Sequence, residues 1–316
     1  MQEQQLVLAI DIGGTKLAVG VVDAEGRVLE NRRAPNPNPP TDDGEQLLRA
    51  LLALVDELTT DRAVLTGVGI GCGGPMRWPV GEVSPLNIPS WRDFPLRERL
   101  AQEFKLPVRI HNDAVCVAIA EHWRGAGVGA ENVLGMVVST GVGGGLILGG
   151  RLIDGASGNA GHIGHAIVHE HEPVCRCGAI GCLEAIASGP NLAAWAYQQG
   201  WRPGFPVDQR TGRDLVEDAR RGDATAVAAM GRAGRALGIG IASATTLCDL
   251  EVIAIGGGLS QAGPLLFDSL EASLRERVGL DFARSARVVP AGLGQESGLV
   301  GAAALIIHPE RYWSGD

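Results

Sequence analysis

Three cysteines in the second half of the chain are the most distinctive candidates for chemistry. Cys175, Cys177 and Cys182 form a C-x-C-G-x-x-G-C pattern, and its glycines permit the positive-φ turns that aim three sulfurs at one point. With one upstream histidine they complete a Cys₃His set, which is typical of structural zinc. Three buried free thiols, a redox pair and an iron–sulfur ligand set are the alternatives.

Three upstream histidines, His165, His169 and His171, are candidates for the fourth ligand. His169 and His171 lie closer to Cys175 in the sequence than His165 does. Spacing alone therefore does not choose among them.

The pair Asn112–Asp113 is a second candidate for chemistry. It follows the apolar segment Val108–His111, which predicts a strand, and it opens a predicted helix that reaches about Trp123. Both residue types are good helix N-caps, and spacing alone favours that role. A carboxylate in this position can also act as a general base.

Three glycine-rich segments each follow a predicted strand. Backbone N–H groups in such loops can bind phosphate, although each segment alone is compatible with a plain turn. No P-loop motif occurs, and the strand–loop–helix context of a dinucleotide fingerprint is missing from the second segment. The conjunction of the three segments therefore carries the phosphate prediction. Their candidate residues are Gly13, Gly14, Thr15 and Lys16, then Thr140, Gly141 and Gly143, and finally Gly256, Gly257 and Gly258.

Asp11 and Lys16 flank the first glycine segment. Asp11 is either a turn-forming residue or a group that organises Mg²⁺, which keeps several waters and few protein ligands. Lys16 either approaches a phosphate or is simply solvated.

The predicted elements form two similar series, which indicates an internal duplication. Each series opens with a strand, a glycine loop and a returning strand. The first consists of the strands Leu6–Gly13, Lys16–Asp23 and Arg27–Arg33, the helix Glu45–Leu58 and the strand Val64–Gly71; the second begins with the strand Val133–Thr140, the loop Gly141–Gly145 and the strand Leu146–Leu148. Further predicted elements are the helices Leu96–Phe104, Pro264–Val278 and Leu299–Ile307 and the strand Val252–Ile255.

Composition limits the possible classes of protein. A chain of 316 residues, 45% hydrophobic and 20% charged, is expected to form about two globular domains. The formal net charge of −9 opposes general binding to nucleic acid or to anionic membranes. No run of 18 apolar residues or signal segment is present, so a cytoplasmic location is expected, where clustered cysteines favour metal or redox chemistry over disulfides.

Together these motifs resemble a known family. The glycine segments are similar to the phosphate-1, phosphate-2 and adenosine motifs of the sugar-kinase/actin/Hsp70 superfamily. The run Cys175–Glu184 resembles the C-x-C-G-x-x-G-C-x-E signature of the ROK family (repressors, open reading frames, kinases), in its glucokinase branch. The resemblance extends from Ile10 to about Ala303.

The resemblance implies an α/β, two-domain ribonuclease-H-like fold (actin-like ATPase and sugar kinase) with a cleft between the domains. Residues 1–113 plus about 301–316 would form the smaller N-terminal domain, and residues 114–300 the larger domain with the zinc knuckle. The implied oligomer is a homodimer or homotetramer.

The resemblance also implies ATP-dependent phosphorylation of a hexose, with glucose first, and mannose or N-acetylmannosamine as alternatives. Asp113 would be the general base, Asp11 would organise Mg²⁺, and His165 would complete the structural zinc site, leaving His169 and His171 at the surface. The glycine segments, together with Asp11, would bind ATP. The implied sugar-binding residues are Gly73, Gly74, Asn87, Asn112, Asp113, His162, His165 and Glu184.

One residue departs from the family pattern. The common motif is Glu-x-Gly-His, whereas this chain has His162–Ile163–Gly164–His165. The identity of the sugar is affected by this change more than the reaction is. A sugar-responsive ROK repressor is the competing class, but it would need an N-terminal winged helix-turn-helix, for which the position of Asp11 leaves no room. A non-catalytic sugar sensor and a polyphosphate-dependent kinase are further alternatives.

Overall fold

The computed structural model describes residues 5–37, 44–171, 173–203 and 212–315. The chain divides into two compact units. The first comprises Met1–Val128, Gly145–Gly161 and Leu293–Asp316, and the second comprises Gly129–Gly144 and His162–Gly292. The domain boundaries expected from the sequence, at residue 113 and about residue 301, stay a prediction.

Strands and helices alternate along most of the chain. The strands are β1 (Leu6–Ile12), β2 (Lys16–Asp23), β3 (Val28–Pro35), β4 (Leu65–Cys72), β5 (Met76–Arg77), β6 (Glu82–Val83), β7 (Val108–Asn112), β8 (Val133–Val138), β9 (Val142–Leu148), β10 (Arg151–Leu152), β11 (Val252–Gly256) and β12 (Arg287–Pro290). The α-helices are α1 (Gly44–Asp56), α2 (Leu96–Phe104), α3 (Asp113–Arg124), α4 (Leu183–Ala187), α5 (Gly189–Gln198), α6 (Gly212–Arg220), α7 (Ala224–Cys248), α8 (Pro264–Arg277), α9 (Asp281–Ser285), α10 (Ser297–Ile307) and α11 (Pro309–Tyr312).

The two large sheets have the same topology, as the predicted duplication requires. The first has the strand order β3-β2-β1-β4-β7, and the second has the order β10-β9-β8-β11-β12. In the first sheet, β1 pairs antiparallel with β2 and parallel with β4, and β4 pairs parallel with β7. In the second, β11 pairs parallel with both β8 and β12. The division between the units falls inside β9, after Gly144.

Helix α10 packs on the first sheet with unusually close backbone contact. A Cβ atom at Gly69 of β4 would lie 1.9 Å from the carbonyl oxygen of Ala302, and one at Gly301 would lie 1.7 Å from the carbonyl oxygen of Cys116 in α3. Side chains at these two positions would collide with backbone atoms. The glycines therefore allow α3, α10 and β4 to pack together below the ends of the central strands.

Two features of the fold differ from the sequence prediction. Gly143 and Gly145 lie inside strand β9, so the predicted loop Gly141–Gly145 is wrong. A Cβ atom at Gly145 would lie 2.9 Å from Val115 Cα, so the small residues let α3 approach this strand. The 25-residue helix α7 was not predicted. Its buried face consists largely of alanine and glycine, which give a weak hydrophobic pattern.

Across the described ranges, no helix is both long enough and apolar enough to cross a membrane.

Candidate active site and metal centre

The parallel pairing of β1, β4 and β7 aligns three candidate segments at one sheet edge. Ile12 is in register with Cys72, and Cys72 is in register with Asn112. Asp11 and Gly13, the Gly73–Gly74 pair and Asp113 all lie at or next to these strand ends. The carboxyl ends of parallel strands are the usual place for ligands in open α/β sheets.

The Asn112–Asp113 pair forms the N-terminus of α3, as predicted. Asn112 is the N-cap, and its side-chain oxygen accepts a hydrogen bond from the Ala114 N–H at 3.0 Å. An Asp113 carboxylate oxygen accepts from the same N–H at 2.8 Å. Asn112 is thus the capping residue, and the Ala114 N–H is shared between its side chain and that of Asp113.

Both carboxylates at this edge have raised pKa values. Burial raises the pKa of Asp11 to about 7, with a further contribution from the negative charge of Asp113, while Lys16 and Arg33 act in the opposite direction. Burial also raises the pKa of Asp113, partly offset by the hydrogen bond from the Ala114 N–H. Such a pair gives the site a carboxylate that can accept a proton near neutrality. A cation bound nearby would stabilise the ionised form of both groups.

The first glycine segment is a tight hairpin turn. The Gly13 N–H donates to the Lys16 carbonyl at 3.0 Å, and the Asn36 side-chain amide donates to the Gly13 carbonyl at 2.7 Å. A Cβ atom at Gly14 would lie 2.7 Å from Asn87 Cβ, so the turn packs directly against this predicted sugar-binding residue. Thr15 is exposed at the tip of the turn.

Two residues at this turn were not predicted from the sequence. Asn36, which follows the last residue of β3, holds the turn through its hydrogen bond to the Gly13 carbonyl. Gln295 accepts a hydrogen bond from Lys16 Nζ at 3.3 Å. Neither belongs to a recognisable motif, because both reach the turn from distant parts of the sequence.

The Gly73–Gly74 pair continues from β4 into the segment that carries Asn87. The Gly73 N–H donates to the Ile12 carbonyl at 3.4 Å, and the Gly74 carbonyl accepts from the Leu86 N–H at 3.1 Å. The pair therefore connects the end of β1 to the residue next to Asn87.

In the second unit, the turn between β8 and β9 contacts Glu184. The Ser139 N–H donates to the Gly141 carbonyl at 2.8 Å, which closes the turn around Thr140. A Glu184 carboxylate oxygen accepts from the Val142 N–H at 2.9 Å. A Cβ atom at Gly141 would lie 2.7 Å from that same oxygen, so glycine is needed for this approach.

The third glycine segment lies beside this turn at the end of β11. Gly256 is in register with Val137 of β8. Gly257 has a φ of +93°, and a Cβ atom there would lie 2.4 Å from the Val138 carbonyl oxygen. Gly258 then begins a short 3-10 helix, Gly258–Ala262. The second and third glycine segments are thus neighbours, whereas Gly143 lies within β9.

The three cysteines and His165 come together in one cluster. Their ligand atoms all lie within 4.8 Å of one another. Cys175 Sγ is 3.8 Å from His165 Nδ1, and Cys177 Sγ is 3.7 Å from Cys182 Sγ. Two sulfurs bound tetrahedrally to zinc at 2.3 Å are separated by about 3.8 Å. The observed spacing therefore fits zinc and is far too long for a disulfide.

Backbone hydrogen bonds shape the loop that presents these sulfurs. The Cys175 N–H donates to the Ala179 carbonyl at 2.7 Å, and the Gly178 N–H donates back to the Cys175 carbonyl at 2.9 Å. Gly181 has a φ of +78°, and a Cβ atom there would lie 1.7 Å from the His169 carbonyl oxygen. The glycines of the motif thus have the turn-forming role that the sequence indicates.

The histidines upstream of the cysteines differ in their surroundings. His165 belongs to the cluster, and the exposed His169 and His171 do not. The His162 ring lies 6.3 Å from the His165 ring, with an angle of 20° between their planes. Gly164, between them, sits where a Cβ atom would lie 1.9 Å from the Val142 carbonyl oxygen. The loop therefore packs against the turn that Glu184 contacts.

Comparison with known proteins identifies the family. The ROK family profile matches residues 7–308. The chain is 34% identical to a glucokinase of Streptomyces coelicolor over 96% of its own length and 98% of the relative's. It is 37% identical to an N-acetylmannosamine kinase of Escherichia coli over 94% of its own length and 97% of the relative's.

The structural comparison agrees. A ROK family glucokinase from Streptomyces griseus, solved in complex with glucose and AMPPNP, superposes with a TM-score of 0.83 at 37% identity, covering 95% of this chain and 98% of that one. The fold is therefore the two-domain, actin-like ATPase fold of the ROK sugar kinases, and the chain belongs to the ROK family.

Proposed function

We propose that this protein is an ATP-dependent hexose kinase that prefers glucose as its sugar substrate and forms glucose 6-phosphate. The observation that carries the proposal is the position of Asp113, a partly buried carboxylate at the same sheet edge as the first phosphate motif. Membership of a family that includes glucokinases supports the reaction class. Mannose and N-acetylmannosamine are the alternative substrates, the latter supported by the kinase relative from Escherichia coli.

Asp113 acts as the general base in this proposal. A sugar hydroxyl is a weak nucleophile, and it attacks the γ-phosphorus of ATP as its proton passes to the Asp113 carboxylate. The bond from the γ-phosphorus to the bridging oxygen breaks, and ADP leaves. A carboxylate whose pKa is raised by burial accepts a proton more readily than an exposed one.

Asp11 is the candidate group for Mg²⁺. Burial and the negative charge of Asp113 disfavour the ionised form of its carboxylate, and a nearby cation would stabilise that form. That donor chemistry fits a hard divalent ion held through one carboxylate and several waters. When bound, Mg²⁺ supplies positive charge that neutralises the phosphate oxygens.

The glycine segments are proposed to bind the nucleotide. Gly13, Gly14, Thr15 and Lys16 would contact phosphate from the first unit. The second and third segments would contact phosphate and adenosine from the second unit, through backbone N–H groups at the ends of β8 and β11 and at the start of β9. Their residues in this role are Thr140, Gly141, Gly143, Gly256, Gly257 and Gly258.

The proposed sugar ligands are amides, imidazoles and carboxylates, which suit hydroxyls that both donate and accept hydrogen bonds. In the first unit they are Gly73, Gly74, Asn87 and Asn112 together with Asp113. In the second unit they are His162, His165 and Glu184.

A structural zinc ion is proposed for the Cys₃His cluster, because four ligands at tetrahedral spacing leave no open position. Zinc would hold His165 through Nδ1, which faces Cys175. The second ring nitrogen, Nε2, would then carry a proton, and its N–H could donate a hydrogen bond of fixed direction to a sugar hydroxyl.

The proposed function is tested with glucose, mannose and N-acetylmannosamine by measuring ADP release when ATP is the donor, and by measuring formation of the sugar phosphate when polyphosphate is the donor. ATP-dependent turnover of at least one hexose is expected, with 6-phosphate as the product. Lack of turnover with every sugar would overturn the proposal. Light scattering on the purified protein tests the expected homodimer or homotetramer.

Replacing the base should remove catalysis but keep binding. In Asp113→Asn, kcat is expected to fall by about 10²–10⁴-fold, because the amide cannot accept the hydroxyl proton. The Kd for the sugar, measured by calorimetry, should change little. Near-normal turnover would exclude Asp113 as the base.

Asp11 should also affect stability in a pH-dependent way. Because its folded-state pKa is raised to about 7 from 3.8, the folded protein retains a proton that the unfolded chain loses, and stability falls as pH rises between about 4 and 7. Asp11→Asn, measured without nucleotide or metal, should therefore have a higher Tm than the wild type at pH 8. The difference should vanish near pH 4. Asp268→Asn, at an exposed position, serves as the control, and a lower Tm for Asp11→Asn at pH 8 would contradict this account.

Metal analysis of protein purified without added metal should find about one zinc per chain. Cys177→Ala should lose the metal and raise KM for the sugar, since the same segment carries His165 and Glu184. Cys248→Ala, outside the cluster, should keep both. Finding iron, or active enzyme without metal, would refute the zinc assignment.

His162 should affect the choice of sugar more than the rate. His162→Glu restores the more usual family residue, so it should leave the enzyme active and change the ratio of kcat/KM between glucose, mannose and N-acetylmannosamine. His171→Glu introduces the same charge at an exposed position and should leave that ratio unchanged. An inactive His162→Glu enzyme would show that His162 has a catalytic or structural role instead, and an unchanged ratio would show that His162 does not contact the sugar.

A further inference from the structure

A buried hydrogen-bonded chain lies directly behind the candidate base. His111, the residue before Asn112, is 1% exposed, and Asp154 is 8% exposed. His111 Nε2 lies 2.9 Å from one Asp154 carboxylate oxygen. The Ser314 hydroxyl donates to the other oxygen at 2.7 Å. None of these three residues belongs to the nucleotide, sugar or metal motifs described above.

The hydrogen bonds fix the state of the imidazole. His111 Nδ1 accepts a hydrogen bond from the backbone N–H of Asn112 at 2.8 Å, so Nδ1 carries no proton. The proton of the neutral ring is then on Nε2, where it is donated to Asp154. Asp154 thus selects the tautomer whose free lone pair points at the Asn112 N–H, the same logic by which a carboxylate orients a catalytic or metal-bound histidine.

The surroundings of His111 and Asp154 shield this pair from water, whereas Ser314 lies at the exposed end of the hydrogen-bonded chain. The Trp78 ring lies 6.4 Å from the His111 ring and 5.6 Å from the Trp313 ring. Gly158 approaches Trp78 so closely that a Cβ atom would lie 2.2 Å from Trp78 Cβ. Hydrogen bonds in such a low-dielectric environment are stronger and more costly to break than those at the surface.

The chain acts on the backbone that carries the base. The Asn112 N–H is held by His111, and the Asn112 side chain caps α3 through the Ala114 N–H. Asp113 lies between these two anchored points. An error of about 1 Å in the position of a reacting group can cost about 10²-fold in rate.

We propose that His111 is a positioning residue for Asp113, held in its active tautomer by Asp154 and, through Asp154, by Ser314. This inference rests on the proposed kinase function. Asp154 belongs to the segment that precedes His162 in the sequence, and Ser314 belongs to the C-terminal segment. The hydrogen bonds therefore connect these two segments of the first unit to the Asn112–Asp113 turn.

Two substitutions at His111 separate the two hydrogen bonds. In His111→Asn, the side-chain oxygen replaces Nδ1 and still accepts from the Asn112 N–H, but the contact with Asp154 is lost. In His111→Gln, the amide reaches toward Asp154 as Nε2 does, but the acceptor for Asn112 is lost. The first variant should be the less stable, because it leaves a buried carboxylate one donor short.

Activity should follow the opposite order. His111→Gln should lower kcat by about 10²-fold with little change in KM for ATP, and His111→Asn should keep a kcat at least about tenfold above that of His111→Gln. Asp154→Ala should also lower kcat, and it should add little in the His111→Gln background, because the two residues act in one chain. Ser314→Ala, at an exposed position, should have the smallest effect.

The proposal is overturned if kcat in the two His111 variants follows their Tm values, or if His111→Gln turns over like the wild type. Backbone amide exchange, followed by mass spectrometry on the peptide containing residues 112–114, gives a readout that needs no turnover. Exchange should be faster in His111→Gln than in His111→Asn. A wild-type protein without kinase activity would defeat the proposed function, and equal exchange in the two variants would still defeat the positioning role by itself.

Discussion

The register of the parallel ladder β1–β4–β7 is the constraint on which the candidate site depends. Ile12, Cys72 and Asn112 are in line across three strands, so the residues that follow each of them emerge at one edge. A side chain in β-structure alternates between the two faces, and a slip of one residue would turn Asp11 to the opposite face. The close backbone packing at Gly69 and Gly301 holds the helices that fix this register.

This arrangement places two carboxylates where they are costly to ionise. Burial and mutual repulsion raise the pKa of Asp11 to about 7, and burial raises the pKa of Asp113. The same features suit the proposed catalytic roles, in which Asp113 would accept a proton and Asp11 would organise a cation. Destabilised charged groups of this kind are characteristic of functional sites rather than of structural ion pairs.

The sequence predicted those parts of the molecule that depend on local chemistry. The knuckle was identifiable because glycine and cysteine spacing directly determines the turn. The Asn112–Asp113 pair was identifiable as a helix start, and the structure assigns the cap to Asn112. The role of Asp113 as general base stays a prediction.

What the sequence did not predict depends on tertiary packing. Gly145 lies in a strand because α3 requires a small residue opposite it, which no local pattern reveals. Helix α7 was not predicted because its buried face consists mainly of alanine and glycine, which give a weaker periodic signal than large apolar residues do. Asn36 and Gln295 reach the first phosphate turn from distant sequence positions, and the contact between His111 and Asp154 spans 43 residues.

In the second unit, the Cys₃His cluster and one of the proposed sugar-binding residues lie on the same short segment. Cys182 is followed at once by Leu183, whose N–H donates to the Ala166 carbonyl at 2.9 Å, and by Glu184 in the first turn of α4. Glu184 in turn accepts from the Val142 N–H, next to the second phosphate motif. Cys182, a ligand of the proposed zinc ion, and Glu184, which is proposed to bind sugar, are therefore only two residues apart. A change that loosens the cysteine loop is therefore expected to displace Glu184 and the Val142 backbone that it contacts, because Glu184 lies in the first turn of α4, which has only five residues.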